Sequence, residues 1–297
     1  MTPGATLTLT NTGANAGQLQ AGSGNMAGQT AGSAFFLAGP TTFSVTTGTR
    51  TVSGTIADTT TDGFQRADLT KTGAGTLAFG AANTYSGTTT VQAGTLLANN
   101  TSGSATGSGN VIVQPGATLG GTGVIAASGA NSVSISGNLA PGITGAGTLA
   151  INNAVLFNGA ANLLLRIGGG TPGDGAAFYS QANMTNAGAS IALDSAATLT
   201  LDFTAGFVPQ EGAMFFLLTR ADSVPFVNSF AGAPEGSVIQ FEGISGQITY
   251  QANWTGSVTS SSFTGGNDVA FLVVPEPSVA WLLALGAFPR QRRRRLA

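Results

Sequence analysis

The chain has 297 residues and a formal net charge of −2, contains neither cysteine nor histidine, and carries 7% charged residues against 45 glycines. These counts exclude a disulfide framework, a thiolate nucleophile, an imidazole base and any Cys/His metal site. Residues before 275 hold five basic and eleven acidic side chains, a net −6, which leaves no electrostatic footprint for nucleic acid or an anionic membrane.

The opening residues Met1-Thr2-Pro3-Gly4 carry no secretory leader pattern, and no basic residue precedes Arg50. The expectation from this is a start codon assigned late, or a fragment of a longer repeat protein. Thr6 to Thr10, Asn110 to Val113 and Ser132 to Ser136 alternate apolar and polar residues, which predicts strands with Leu, Val and Ile on one face and hydroxyls on the other. A Gly-(Ala)-Thr-Leu unit recurs at Gly4-Ala5-Thr6-Leu7, Gly75-Thr76-Leu77, Gly94-Thr95-Leu96, Gly116-Ala117-Thr118-Leu119 and Gly147-Thr148-Leu149. One short coil of strands cannot bury its apolar face alone, so units at this spacing predict a stack of rungs in which Leu77, Leu96, Leu119 and Leu149 point inward. Glycine and asparagine at the run boundaries supply the positive φ that corners need.

From about residue 190 the strands lengthen and become greasier, at Thr198 to Phe203, Met214 to Thr219, Val238 to Phe241 and Val269 to Val274. A stack needs a covered end, so this part is expected to finish or cap it. No 3.6-residue apolar stripe precedes residue 279, which predicts almost no helix in the body. The predicted class is all-β: a parallel β-helix (β-solenoid), a C-terminal β-rich capping part and a short helical C-terminal tail. With the boundary at the glycine-rich stretch Gly168 to Gly173, the divisions are 1–168, 169–274 and 275–297.

Candidate chemistry is sparse. The densest charge group, Asp58, Asp62, Arg66, Asp68 and Lys71, falls within fourteen residues and reads as a solvated loop and rung corner. It fails as an EF-hand loop, since Thr60 and Leu69 stand at the third and twelfth positions. A serine nucleophile without histidine needs a lysine base, and Lys71 is the only lysine. Tyr85, Tyr179, Tyr250 and Trp254 suit packing or turn roles, and Trp281 a membrane interface. No catalytic, cofactor-binding or metal residue is assigned, no cofactor is expected, and the chain is expected not to be an enzyme.

The end of the chain has its own logic. Pro275, Glu276 and Pro277 form an extended acidic turn, because proline restricts both itself and the residue before it. The apolar run Val279 to Phe288 follows, then Arg290, Gln291 and the cluster Arg292, Arg293, Arg294 and Arg295. Arginines tend to stay cytoplasmic, which would leave the body on the far side of a membrane. Ten helical residues reach about 15 Å against a hydrocarbon core of roughly 30 Å, and Pro289 discourages extension.

That order of parts resembles the PEP-CTERM sorting signal of Gram-negative bacteria. The resemblance implies export, transient inner-membrane anchoring and cutting by an exosortase near Pro275-Glu276-Pro277. The segment Leu69-Thr70-Lys71-Thr72-Gly73-Ala74-Gly75-Thr76-Leu77, continuing through Ala82 to Gly87 and Thr89 to Leu96, resembles the autotransporter-associated β-strand repeat, with a core at 69–100. Gly116 to Gly123 and Leu139-Ala140-Pro141-Gly142 look like rungs that follow it. This second resemblance implies a parallel β-helix in a secreted or surface-displayed protein, with no activity attached. The function expected is a structural or adhesive protein of the cell surface or extracellular matrix, with exopolysaccharide or neighbouring surface proteins as partners and no nucleic acid. The alternatives are a polysaccharide-active or polysaccharide-binding β-helix protein and an autotransporter passenger fragment.

Overall fold

The computed structural model describes the backbone of 6–9 and 18–19, and residues 35–37, 39–58, 66–142, 144–188, 190–204 and 206–275. Within these the chain coils through a parallel β-helix, and no helix is present among the described residues. Each turn lays one strand on a first face and the next on a second face. The first face runs Thr6–Leu9, Thr41–Val45, Leu69–Thr72, Thr89–Val91, Val111–Val113, Ser132–Ile135, Ala154–Phe157 and Ile191–Leu193. The second runs Gln18–Leu19, Thr49–Val52, Thr76–Phe79, Thr95–Ala98, Thr118–Gly121, Asn138–Pro141, Asn162–Ile167 and Thr198–Phe203. Every pairing on these two faces is parallel.

Period-two alternation explains the core. In Val111–Val113 and Ser132–Ile135 every second side chain is buried, and equivalent positions of successive turns stack in register. Leu77, Leu96, Leu119, Leu139, Leu163 and Leu199 form one inward ladder along the second face. Three of the four leucines expected to stack are in it; the fourth is not. Leu149 is fully buried but lies on a third face, opposite Ala182, and Leu139 takes the next place above Leu119. The Gly-Thr-Leu triplet misleads there because a third-face strand entering from a glycine has the same local needs as a second-face one.

Corners between the first two faces use glycine where another residue would not fit. At Gly94, φ is +66°, and a Cβ there would stand 2.4 Å from the Gly73 carbonyl oxygen of the turn below. Replacing Gly94 with alanine is therefore expected to destabilise the fold by about 1–3 kcal/mol, read as a lower midpoint in urea at unchanged slope.

The third face begins with Phe35–Phe36 beside Ile56–Ala57 and is rebuilt higher up by Val124–Ile125, Thr148–Ile151, Gln181–Met184 and Met214–Arg220, all parallel. It then changes mode. Asp268–Val273 pairs antiparallel with Met214–Arg220, Ile244–Ala252 pairs with Asp268–Val273, and Val238–Phe241 closes the sheet. The parallel ladders thus cross residues 168–169 without a break, through Asn162–Ile167 paired to Thr198–Phe203. The change of pairing falls after Arg220.

Residues 228–233 cover the last turn. The Ala231 N–H donates to the Ala197 carbonyl at 2.7 Å, the Asn228 side-chain amide donates to Leu193 at 2.8 Å, and the Phe203 N–H donates to the Glu242 carboxylate at 3.0 Å. Phe230 is 1% exposed and meets Phe157 edge-on at 6.0 Å, plugging the end of the core. An open strand edge is a template for further pairing, and this cap occupies it.

Candidate functional site

The outward positions of the second face form a polar stripe. Thr49, Thr76, Thr95, Thr118, Asn138, Asn162 and Thr198 are in register, each one place before an inward core position. In the upper turns their side chains bond one another. Asn138 donates to Thr118 Oγ1 at 3.3 Å, Asn162 donates to Asn138 Oδ1 at 3.4 Å, and Thr198 and Thr200 donate to Asn162 Oδ1 at 3.0 and 3.1 Å. Their spacing along the axis is the parallel interstrand distance of about 4.8 Å. On the first face a shorter rank, Thr42, Thr70 and Thr90, is arranged in the same way.

An exposed ring stands past the far end of the Asn162–Ile167 strand, about 20 Å along it from Asn162. The segment 168–180 folds back on the end of Asn162–Ile167, with the Gly168 N–H donating to the Phe178 carbonyl at 2.8 Å and the Ser180 N–H to the Arg166 carbonyl at 2.7 Å. Tyr179 is fully buried, its ring edge-on to Phe215 at 5.3 Å, and its hydroxyl accepts from the Phe216 N–H at 3.3 Å. Burial raises its pKa above the ordinary tyrosine value. Phe178, its neighbour, is 37% exposed and rests on Gly173, where a Cβ would come 2.6 Å from the ring. Arg166 and Asp202 face each other at 3.7 Å on the same face, a partly exposed pair of small energetic value. The stripe offers hydroxyls and amides for hydrogen bonding, and Phe178 a separate aromatic surface for stacking. Sequence reasoning missed Phe178, because a glycine-rich turn has no periodicity from which to place it.

The charge group expected to be solvated is divided. Asp58 and Lys71 are fully buried, Arg66 and Asp68 are at or near the surface, and Asp62 lies outside the described residues. Lys71 occupies an inward place between Phe43 and Val91, and its ammonium donates to the carbonyls of Thr72 at 2.9 Å, Gly73 at 2.7 Å and Ala93 at 2.9 Å. Burial holds its pKa down to about 8. Asp58 Oδ2 accepts from the N–H groups of Ala67 and Ser86, both at 2.8 Å, and from the Ser86 hydroxyl at 2.9 Å, joining successive turns. Tyr85 is buried nearby, bonded to the Thr89 hydroxyl at 2.6 Å; its pKa is raised chiefly by burial, with the Asp58 charge adding to that and the Thr89 bond opposing it. Period-two reading of Leu69-Thr70-Lys71 places the lysine on the leucine's face. That signal was in the sequence. These groups hold turns together and are shielded from any substrate. Among the described residues no group of three or more Asp or Glu side chains could hold a metal ion.

With the turns of the solenoid in place, the two that contain Leu69–Thr72, Thr76–Phe79, Thr89–Val91 and Thr95–Ala98 coincide with a known family. Residues 69–98 match the passenger-associated-transport repeat. The repeat spans two complete passes over the first and second faces, including buried Lys71 and the stripe residues Thr76 and Thr95. No curated protein matches the chain.

Of the residues expected to form a sorting signal, Pro275 is exposed, just beyond Val274, whose N–H donates to the Ser245 carbonyl at 3.1 Å on the capping sheet. Glu276, Pro277, Arg292, Arg293, Arg294 and Arg295, with the apolar run and the expected tail helix, lie outside the described residues.

Proposed function

We propose that the chain is an exported, non-enzymatic structural protein of a Gram-negative cell surface or extracellular matrix, whose second face contacts polysaccharide or neighbouring proteins. The observation that carries this reading is the continuous Thr/Asn stripe on a capped parallel solenoid. The passenger-associated-transport repeat within the same stack supports export and display. A neutral ladder of hydroxyls and amides makes many weak, additive hydrogen bonds to a chain of sugar hydroxyls, and Phe178 adds a stacking surface.

The test of the face is co-sedimentation of the full chain with insoluble exopolysaccharide. Phe178→Ala is expected to weaken capture about fivefold, the loss of one contact of about 1 kcal/mol, at unchanged melting temperature. Equal capture by both proteins overturns the face. For the absence of enzymatic activity, cleavage of a polysaccharide panel that disappears in Asp62→Ala would overturn the reading.

In the same proposal the tail is a PEP-CTERM-like signal that holds the chain briefly in the inner membrane until an exosortase cuts near Pro275-Glu276-Pro277. Pro275 lies two residues past the end of the strand Asp268–Val273, so a cut there would leave the whole solenoid and its cap in one product. In an exosortase-bearing host, with a signal peptide supplied, intact mass is expected to show a product ending near residue 275. Replacing Arg292 to Arg295 with serine is expected to weaken retention, and Glu276→Ala to impair cutting. A secreted product that keeps its arginines sinks the sorting reading and favours the second one, a passenger of an autotransporter-type system, which the matched repeat supports.

A further inference from the structure

The cap carries a pocket of about 260 Å³, separate from the polar stripe and lined by Pro225, Phe226, Val227, Glu235, Tyr250 and Gln251, with Asn228 and Ser229 beside them. Its two rings meet edge-on, Phe226 to Tyr250, with centroids 5.5 Å apart. Glu235 is held rigidly: one carboxylate oxygen accepts from the Thr249 hydroxyl at 2.8 Å and the other from the Tyr250 N–H at 2.6 Å. A carboxylate has about four acceptor positions, so two remain open. Glu235 is exposed, and no cation among the described residues pairs with it.

The cation beside these rings is already paired. Phe226 carries the Arg220 guanidinium 4.7 Å from its centroid, and Arg220 is neutralised by Asp222 at 2.6 Å. The Arg220 backbone N–H donates to the Asp268 carboxyl at 2.7 Å, which places a further carboxyl group at this corner. Behind the Phe226 ring, one cation thus stands with two acidic side chains, Asp222 and Asp268. The rim is apolar and uncovered, Val227 being 94% exposed and Val224 55%. Exposed apolar side chains around a polar, charged recess are a signature of a surface that a polypeptide covers.

We propose that this pocket binds a basic side chain, arginine or lysine, of a partner polypeptide, with Glu235 as counter-ion, the rings of Phe226 and Tyr250 as the π surface, and Val224 and Val227 packing on the flanking chain. A carboxylate fixed in advance beside aromatic rings loses little freedom on binding, and a cation beside a ring gains most where it is desolvated. The site is independent of the polar stripe and of the tail.

The test is titration of the full chain with the capped peptide acetyl-Gly-Arg-Gly-amide, followed by the amide resonances of Tyr250 and Gln251. The arginine peptide is expected to bind at least about fivefold more tightly than the same peptide with glutamine, and added salt is expected to weaken it. Glu235→Gln should remove most of that preference. Since Glu235 also bonds the backbone, Val227→Lys serves as a second variant: it places a like charge on the rim at a fully exposed position, and is expected to weaken the arginine peptide about fivefold at unchanged melting temperature. No resonance change with the arginine peptide, an equal response to the glutamine peptide or to N-acetylglucosamine, or indifference to both substitutions overturns the proposal.

Discussion

Leu96→Asp is expected to unfold the solenoid, while Thr95→Asp one residue earlier leaves it folded. Leu96 is fully buried, with Leu77 below it and Leu119 above it in the same ladder. No cation stands at those two places, so the new carboxylate would be buried without a partner in contact along the ladder. That costs about 5 kcal/mol, the lower end of a domain's entire stability of roughly 5–15 kcal/mol. Thr95 points outward from the same strand, where a carboxylate keeps its water, and a surface change of this kind is worth about 0.5 kcal/mol. Circular dichroism melts of the two variants separate the outcomes, and equal melting temperatures would refute the register.

The stack was legible because its signal is local. Each Thr-Leu step after a corner glycine states the alternation, so the inward leucine and the outward threonine of Thr76-Leu77, Thr95-Leu96 and Thr118-Leu119 follow from one rule. The same rule, carried two residues past Leu69, places Lys71 inside, against the general preference of a charge for solvent. The placement of Leu149 was not legible, since face identity depends on how many strands a turn contains, and the third face, after Phe35–Phe36 and Ile56–Ala57, carries paired strands again only from Val124–Ile125 upward. The cap pocket was illegible for a different reason. Pro225, Glu235 and Tyr250 are brought together by antiparallel returns whose register no repeat encodes. The proposed sorting tail is the reverse case, a pattern plain in sequence that, from Glu276 on, lies outside the described residues.

The internal lysine gives this fold an unusual pH response. Burial lowers the Lys71 pKa from 10.5 to about 8, so between those values the unfolded chain holds a proton that the folded chain has released. Stability therefore rises with pH through that window, by about 3 kcal/mol for a shift of this size. Above pH 10 the sign reverses. Tyr85, Tyr179 and Tyr250 are all raised by burial, Tyr250 to about 12, so the unfolded tyrosines ionise first and favour unfolding. Urea unfolding free energies measured from pH 7 to 11 are expected to peak near pH 10. Lys71→Met, which keeps the length of the side chain between Phe43 and Val91 but cannot titrate, is expected to erase the rising limb and leave the falling one. The methionine also leaves the carbonyls of Thr72, Gly73 and Ala93 without their donor, at about 1–3 kcal/mol, so its curve lies below the native one at pH 10 and, since the native protein has lost about 3 kcal/mol by pH 7, meets or passes above it there. A native curve that is flat from pH 8 to 10 would mean that the three carbonyls hold the ammonium charged throughout, and that its burial costs the fold nothing.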